Sequence, residues 1–207
     1  MYLYEIEKRI NPVTFLDDLK IIEDCMSNCS NTHSLIGKLF GVSKTENWRQ
    51  KNNILYRNVN NGSFKLLLKS DIEIDKKALE KYNFELTKEE KIAVNNGDFV
   101  FNIAVCPTHK VNSKRVPLRS KEERINWLKY KLTNNNCCEV IDVIENDEIQ
   151  YNMSHKESHK GSTKLFGYEY TVKIKIKDSS LFKEIIKNGI GPEKAYGFGL
   201  IIWYSRT

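Results

Sequence analysis

Two successive runs of strand, helix, strand, strand, helix and strand predict an α+β chain of two tandem ferredoxin-like domains, each an antiparallel sheet with helices on one face. Three observations lead there. The second half repeats the element order of the first. Residues 168–176 alternate as no other stretch does, with Tyr170, Val172, Ile174 and Ile176 on one side and Thr171, Lys173 and Lys175 on the other. The 207 residues, 40% of them hydrophobic, suffice for two domains of about 100 residues each. The expected domains are residues 1–94 and 95–207.

The elements follow from local pattern. Residues 3–9 alternate as a strand, and Asn11-Pro12 breaks the run. Phe15, Leu16, Leu19 and Ile22 recur at helical spacing, giving an amphipathic helix that fades in the polar run 27–32. Leu35, Ile36, Leu39 and Phe40 fit one face of a second, short helix ended by Gly41, which puts His33 at its start. Residues 54–58 and 64–69 read as strands around the hairpin sequence Asn60-Asn61-Gly62. A helix over 75–82 and a strand over 84–86 complete the first half. In the second, a strand over 99–105 ends at Pro107, and a polar basic loop leads to a helix over 120–132. Ile125, Trp127, Leu128 and Leu132 would supply that helix's buried face. Strands over 139–144 and 168–176 flank a polar stretch, 152–164. A helix over 179–188, capped by Asp178 or Ser179, and a strand over 200–204 finish the chain.

The net charge of +6 is unevenly distributed. Residues 1–106 hold 15 basic and 15 acidic side chains, 107–132 hold 8 and 2, 133–150 hold 0 and 5, and 151–207 hold 10 and 5. The basic excess therefore belongs to the second half, the footprint expected of a polyanion-binding surface. The composition excludes a collagen, a disulfide-held mini-protein and an acidic tail. The first ten residues mix acids and bases without the apolar core of a secretory signal. Residues 198–204, the longest uncharged apolar stretch, fall far short of the roughly 20 residues that span a bilayer. A soluble chain with no membrane association is expected. Five cysteines, two of them adjacent at Cys137 and Cys138, make a poor disulfide framework and point to a reducing cytoplasm.

Few segments can carry chemistry. Gly189 to Leu200 reads GIGPEKAYGFGL, four glycines whose backbone can approach a ligand closely, with Lys194 among them. It is neither a Walker A loop nor a dinucleotide fingerprint. His155 and His159 are four apart in a stretch too polar for a helix with a core face. Cys25, Cys29 and His33 share that spacing, but zinc there needs a fourth ligand and one continuous helix through Asn28 and Asn31. No metal site and no cofactor are expected. His109 lies in the basic loop and is read as solvated or as a phosphate or base contact. His33 offers an imidazole whose ordinary pKa suits general acid or base catalysis near neutral pH. Acidic pairs of the kind that hold catalytic magnesium are missing from the sequence, so a nuclease reading favours chemistry without a metal.

These pieces in this order resemble the CasE family of CRISPR-associated endoribonucleases, the Cascade subunit that cleaves precursor CRISPR RNA at its repeats. GIGPEKAYGFGL is similar to the family's glycine-rich loop. The MYL opening, the segment from His33 through Leu39 and Phe40, Lys114-Arg115-Val116-Pro117-Leu118, and Glu123 to Leu128 with Trp127 are similar too. The resemblance implies tandem ferredoxin-like (RRM-like) domains and His33 as the catalytic residue. It further implies attack by a ribose 2′-hydroxyl, leaving a 2′,3′-cyclic phosphate and a 5′-hydroxyl. Ser30 stands where the family often has tyrosine, which leaves Ser30, Thr32, Lys38, Lys194 or a tyrosine elsewhere as support, or His33 acting with backbone and lysine only. Asn102 and Ala104 replace common arginines. Contacts to the RNA are assigned to Lys110, Lys114, Arg115 and Arg119, to Lys156, Lys160 and Lys164, and to the loop residues Gly189, Gly191, Lys194, Gly197 and Gly199. The implied partners are a CRISPR repeat RNA stem-loop and other Cascade subunits, with the chain a monomer when free. The alternative is a non-catalytic subunit that binds an RNA stem.

Overall fold

The computed structural model describes residues 1–44, 46–60, 63–153 and 163–206. The chain forms two compact units. Unit 1 comprises Met1–Ile92 with Tyr151–Leu165 and Ala195–Gly197, and unit 2 comprises Ala93–Gln150, Phe166–Lys194 and Phe198–Thr207. The predicted fold class is found, with one four-stranded antiparallel sheet in the first half of the chain and a second in the other half.

In the first half, strand β1 (Tyr2–Lys8) is followed by helices α1 (Phe15–Ser27), α2 (Cys29–Leu39) and α3 (Trp48–Lys51). Then come β2 (Leu55–Asn60), β3 (Phe64–Ser70), α4 (Lys76–Lys81) and β4 (Phe84–Lys91). The strand order is β2-β3-β1-β4, with Tyr4 opposite Leu68 and Glu89, and Ile6 opposite Leu66 and Leu86. Tyr4, Ile6, Leu66 and Leu68 bury one face of this sheet against Ile36, Leu39 and Phe40 of the α2 region. Two differences from the sequence pattern matter. First, α2 starts four residues before His33, because the Asn28 side chain accepts a hydrogen bond from the Ser30 N–H and caps the helix there. His33 thus lies on the second turn. Second, α1 does not bury Phe15, Leu16 and Leu19. It turns Asp18 and Cys25 inward. Asp18 pairs with the equally buried Lys8 and accepts hydrogen bonds from the Asn11 N–H, Thr14 Oγ1 and Asn83 Nδ2 at 2.9–3.1 Å. Burial pushes this carboxyl up, but those donors, Lys8 foremost, outweigh it and hold the group well below the usual carboxylate range.

In the second half, β5 (Gly97–Val105) leads into a hairpin, β6 (Thr108–Val111) and β7 (Lys114–Pro117). Helix α5 (Lys121–Thr133), strands β8 (Cys138–Met153) and β9 (Thr163–Ile176), α6 (Ser179–Asn188) and β10 (Ile201–Arg206) follow. The strand order β10-β5-β9-β8 repeats that of the first sheet when each is counted from its own first strand. Tyr170, Val172, Ile174 and Ile176 are buried, as the alternation predicts, and Lys173 and Lys175 are exposed. The basic loop is instead the β6–β7 hairpin, turned by Asn112 and Ser113, both at positive φ. Strands β8 and β9 are longer than their apolar cores suggest. Helix α5 opens with a capping box between Ser120 and Glu123. It buries Arg124 with Leu128 and Leu132, while Ile125 and Trp127 are half-buried. Arg124 donates to both carboxylate oxygens of Glu145 at 2.9 and 2.7 Å and lies 3.8 Å from the Tyr168 ring centroid. Tyr170 also donates to Glu145, at 2.8 Å.

Candidate functional site

The unit 1 site is built around His33. Half-buried on α2, its ring stacks on the Trp48 indole with centroids 4.7 Å apart and planes 24° apart. Gly37, one turn later, admits that indole: a Cβ there would come within 3.0 Å of Trp48 Cζ2. The Tyr196 ring lies 6.5 Å from the imidazole, centroid to centroid. His33 Nδ1 is buried and finds no hydrogen-bond partner among the described residues. Burial, and then the positive charge of Arg49, push the imidazole below its ordinary pKa, with the Ala195 carbonyl opposing them weakly. The ring is therefore neutral at neutral pH and able to accept a proton.

Tyr56 holds the segment beside this ring. It is fully buried on β2, and its hydroxyl donates to the Ala195 carbonyl at 2.6 Å. Its ring would lie 3.5 Å from a Cβ at Gly197. Burial drives its hydroxyl pKa far up, so it stays a neutral donor. Arg49 is half-buried, and its Nη1 donates to the Ile54 carbonyl at 3.3 Å.

The other α2 candidates divide. Ser30 is one turn before His33 on the same side of the helix, half-buried, and its carbonyl accepts from the Ser34 hydroxyl. Thr32 is buried and donates to the Cys25 carbonyl at 3.1 Å. Lys38 is exposed, 6.0 Å from the Tyr82 ring centroid. The single helix needed for a Cys25, Cys29 and His33 metal site is interrupted at Asn28, whose backbone is extended. Among the described residues no His, Cys, Asp and Glu cluster is arranged to hold a metal ion.

In unit 2, the β6–β7 hairpin sets Lys110 directly opposite Arg115, with Lys114 and Arg119 exposed nearby in sequence. Like charges paired across strands destabilise a hairpin, so the arrangement suits an anionic ligand. His109 is exposed on β6. Arg115 reaches Glu193 of the glycine-rich segment at 3.4 Å. Gly189 ends α6, and Lys194 Nζ lies 3.5 Å from its carbonyl. Gly191 has φ +81°, and a Cβ there would come within 2.8 Å of the Trp127 ring. That contact explains why Trp127 and the glycine run occur together. Gly199 donates its N–H to the Ala104 carbonyl at 2.7 Å. Asn102 and Ala104 are buried. Lys164 is exposed on β9, while Lys156, Lys160, His155 and His159 lie outside the described residues, as do Asn61 and Gly62. Sequence pattern missed Trp48, Arg49 and Tyr56, because a four-residue helix and a strand tyrosine carry no periodic signal. Tyr196, inside the glycine-rich run, was legible as a position but not as a neighbour of His33.

Among the described residues no helix is long and apolar enough to cross a membrane. The fold resembles that of the CRISPR endoribonuclease Cse3 bound to a 19-nucleotide RNA, with a TM-score of 0.81 and 16% identity over 99% of this chain and 100% of that one. It also resembles the CRISPR-associated protein Cas6e from Escherichia coli str. K-12, with a TM-score of 0.70 and 20% identity over 98% of each chain. A chain of a CRISPR RNA-guided surveillance complex matches with a TM-score of 0.64 and 13% identity over 98% of each. No curated protein sequence matches. The model of the CRISPR associated protein family spans residues 1–202, and the chain belongs to that family.

Proposed function

We propose that this chain is an endoribonuclease that binds the stem-loop of CRISPR repeat RNA, cleaves precursor CRISPR RNA without a metal ion, and stays with its product as a subunit of Cascade. The observation that carries this reading is His33, a half-buried imidazole kept neutral by burial and by Arg49, with Nδ1 unpartnered. The likeness to Cse3, an endoribonuclease solved with RNA, supports the substrate class, and the likeness to a surveillance-complex chain supports the assembly.

In this mechanism neutral His33 accepts the proton of the ribose 2′-hydroxyl as its oxygen attacks the adjacent phosphorus. The P–O5′ bond breaks, a 2′,3′-cyclic phosphate forms, and the departing O5′ takes a proton from water to become a hydroxyl. Arg49 supplies positive charge near the developing phosphorane. Tyr56 acts as a positioning residue by fixing the Ala195 carbonyl. The Lys110, Lys114, Arg115 and Arg119 face of unit 2 binds phosphates of the stem, which A-form RNA presents in preference to base edges, and Lys164 of unit 1 contacts phosphate in its own right.

Incubation with a repeat stem-loop RNA in EDTA tests the reading. Cleavage should proceed and leave a cyclic phosphate, and a single 2′-deoxy substitution at the cut site should abolish cleavage without weakening binding. Binding without cleavage of the all-ribose RNA would favour the stem-binding structural subunit. The pH profile carries a sign as well. Because the His33 pKa is lowered, the rate should stay level through neutrality and fall only below the ordinary imidazole pKa of about 6.5.

A further inference from the structure

Half of the large apolar side chains exposed among the described residues fall in one stretch: Ile10, Val13, Phe15, Leu16, Leu19 and Met26. Val13 is 90% and Leu16 78% exposed. On α1, Leu16, Leu19 and Met26 share one face, spaced three and seven residues apart. The opposite face carries Asp18 and Cys25, with Ile21 and Ile22 packed against the unit 1 core. A helix free to choose would bury leucine and expose aspartate. Here the buried Lys8–Asp18 pair, with Asn11, Thr14 and Asn83 around it, fixes the reverse orientation. The stripe is thus held outward by polar bonds on the far side of its own helix.

The charges around it say what can cover it. Asp17, Glu23 and Asp24 are exposed on the same helix against one exposed cation, Lys20. This acidic setting repels RNA phosphate. It also opposes a two-fold contact with a second copy, which would set the same acids against one another. We infer that α1 docks a protein segment whose apolar side chains are flanked by lysine or arginine. The inference rests on the proposed function in taking that segment to belong to another subunit of the guide-RNA complex.

The test titrates the full chain into the purified complex of the other subunits and guide RNA lacking it, at two salt concentrations, with repeat-RNA cleavage measured in parallel. Leu16→Glu or Val13→Glu should weaken association by about tenfold or more. Glu23→Lys and added salt should weaken it, and Lys20→Glu should tighten it, while all four variants cleave RNA at the wild-type rate. Wild-type affinity in both Leu16→Glu and Val13→Glu, or no association of the wild-type chain, overturns the inference. Charge reversals with no effect, or with the opposite sign, overturn the basic flank. Self-association of the free chain that Leu16→Glu abolishes would assign the stripe to a second copy instead. Docking without RNA cleavage would sink the proposed function and leave this surface standing; cleavage without docking would do the opposite.

Discussion

Units 1 and 2 carry the same strand order but interrupt it differently. In unit 1 the connection from the first strand to the second holds an extra helix, α2, which brings His33 against Trp48. In unit 2 the connection after β5 holds the β6–β7 hairpin, which sets Lys110 opposite Arg115. Each unit also ties its first helix to its sheet by a buried ion pair, Lys8–Asp18 in one and Arg124–Glu145 in the other. The scaffold device is shared, and the inserted segment sets what each unit presents: a half-buried imidazole in unit 1, a row of cations in unit 2.

Four variants break or sharpen this contrast. Asp18→Ala should have the largest effect on stability, roughly 4 kcal/mol, because it leaves Lys8 charged, buried and unpaired; chemical denaturation measures it. The native pair's contribution should persist above the ordinary carboxylate range and disappear only as pH falls through the depressed Asp18 pKa. Arg124→Ala should cost somewhat less, about 3 kcal/mol, since its pair keeps partial solvent contact and strands Glu145 less completely. Equal costs would show that the two pairs are equivalent. Tyr56→Phe removes the buried hydroxyl that donates to the Ala195 and Cys29 carbonyls, worth about 1 kcal/mol. It should slow single-turnover cleavage about fivefold with RNA affinity unchanged. A fall in affinity instead would make Tyr56 a binding residue. Lys110→Glu with Arg115→Glu should leave the rate on saturating RNA intact and lower the salt slope of binding by about 2. An unchanged slope would remove that hairpin from the RNA face.

Much of the scaffold was legible. The alternation in β9 and the Asp178 cap are local signals, and they predicted those elements. What failed was orientation and insertion. A charged Asp18 reads as surface by default, and only Lys8, Asn11, Thr14 and Asn83 converging from separate segments make it the inward residue. The Asn28 cap was hidden in a polar run. Within the site, His33 was singled out by its side-chain chemistry and by family resemblance. Its setting was not legible, because Trp48 and Tyr196 reach it from 15 and 163 residues along the chain, and no spacing rule connects them.

The central claim is that one neutral imidazole cuts RNA that the chain holds by other residues. The most direct measurement is single-turnover cleavage of repeat RNA by His33→Ala in EDTA, at protein concentrations that saturate binding. Loss of about a thousandfold in rate with wild-type affinity is the predicted result. Cleavage at the wild-type rate would contradict it.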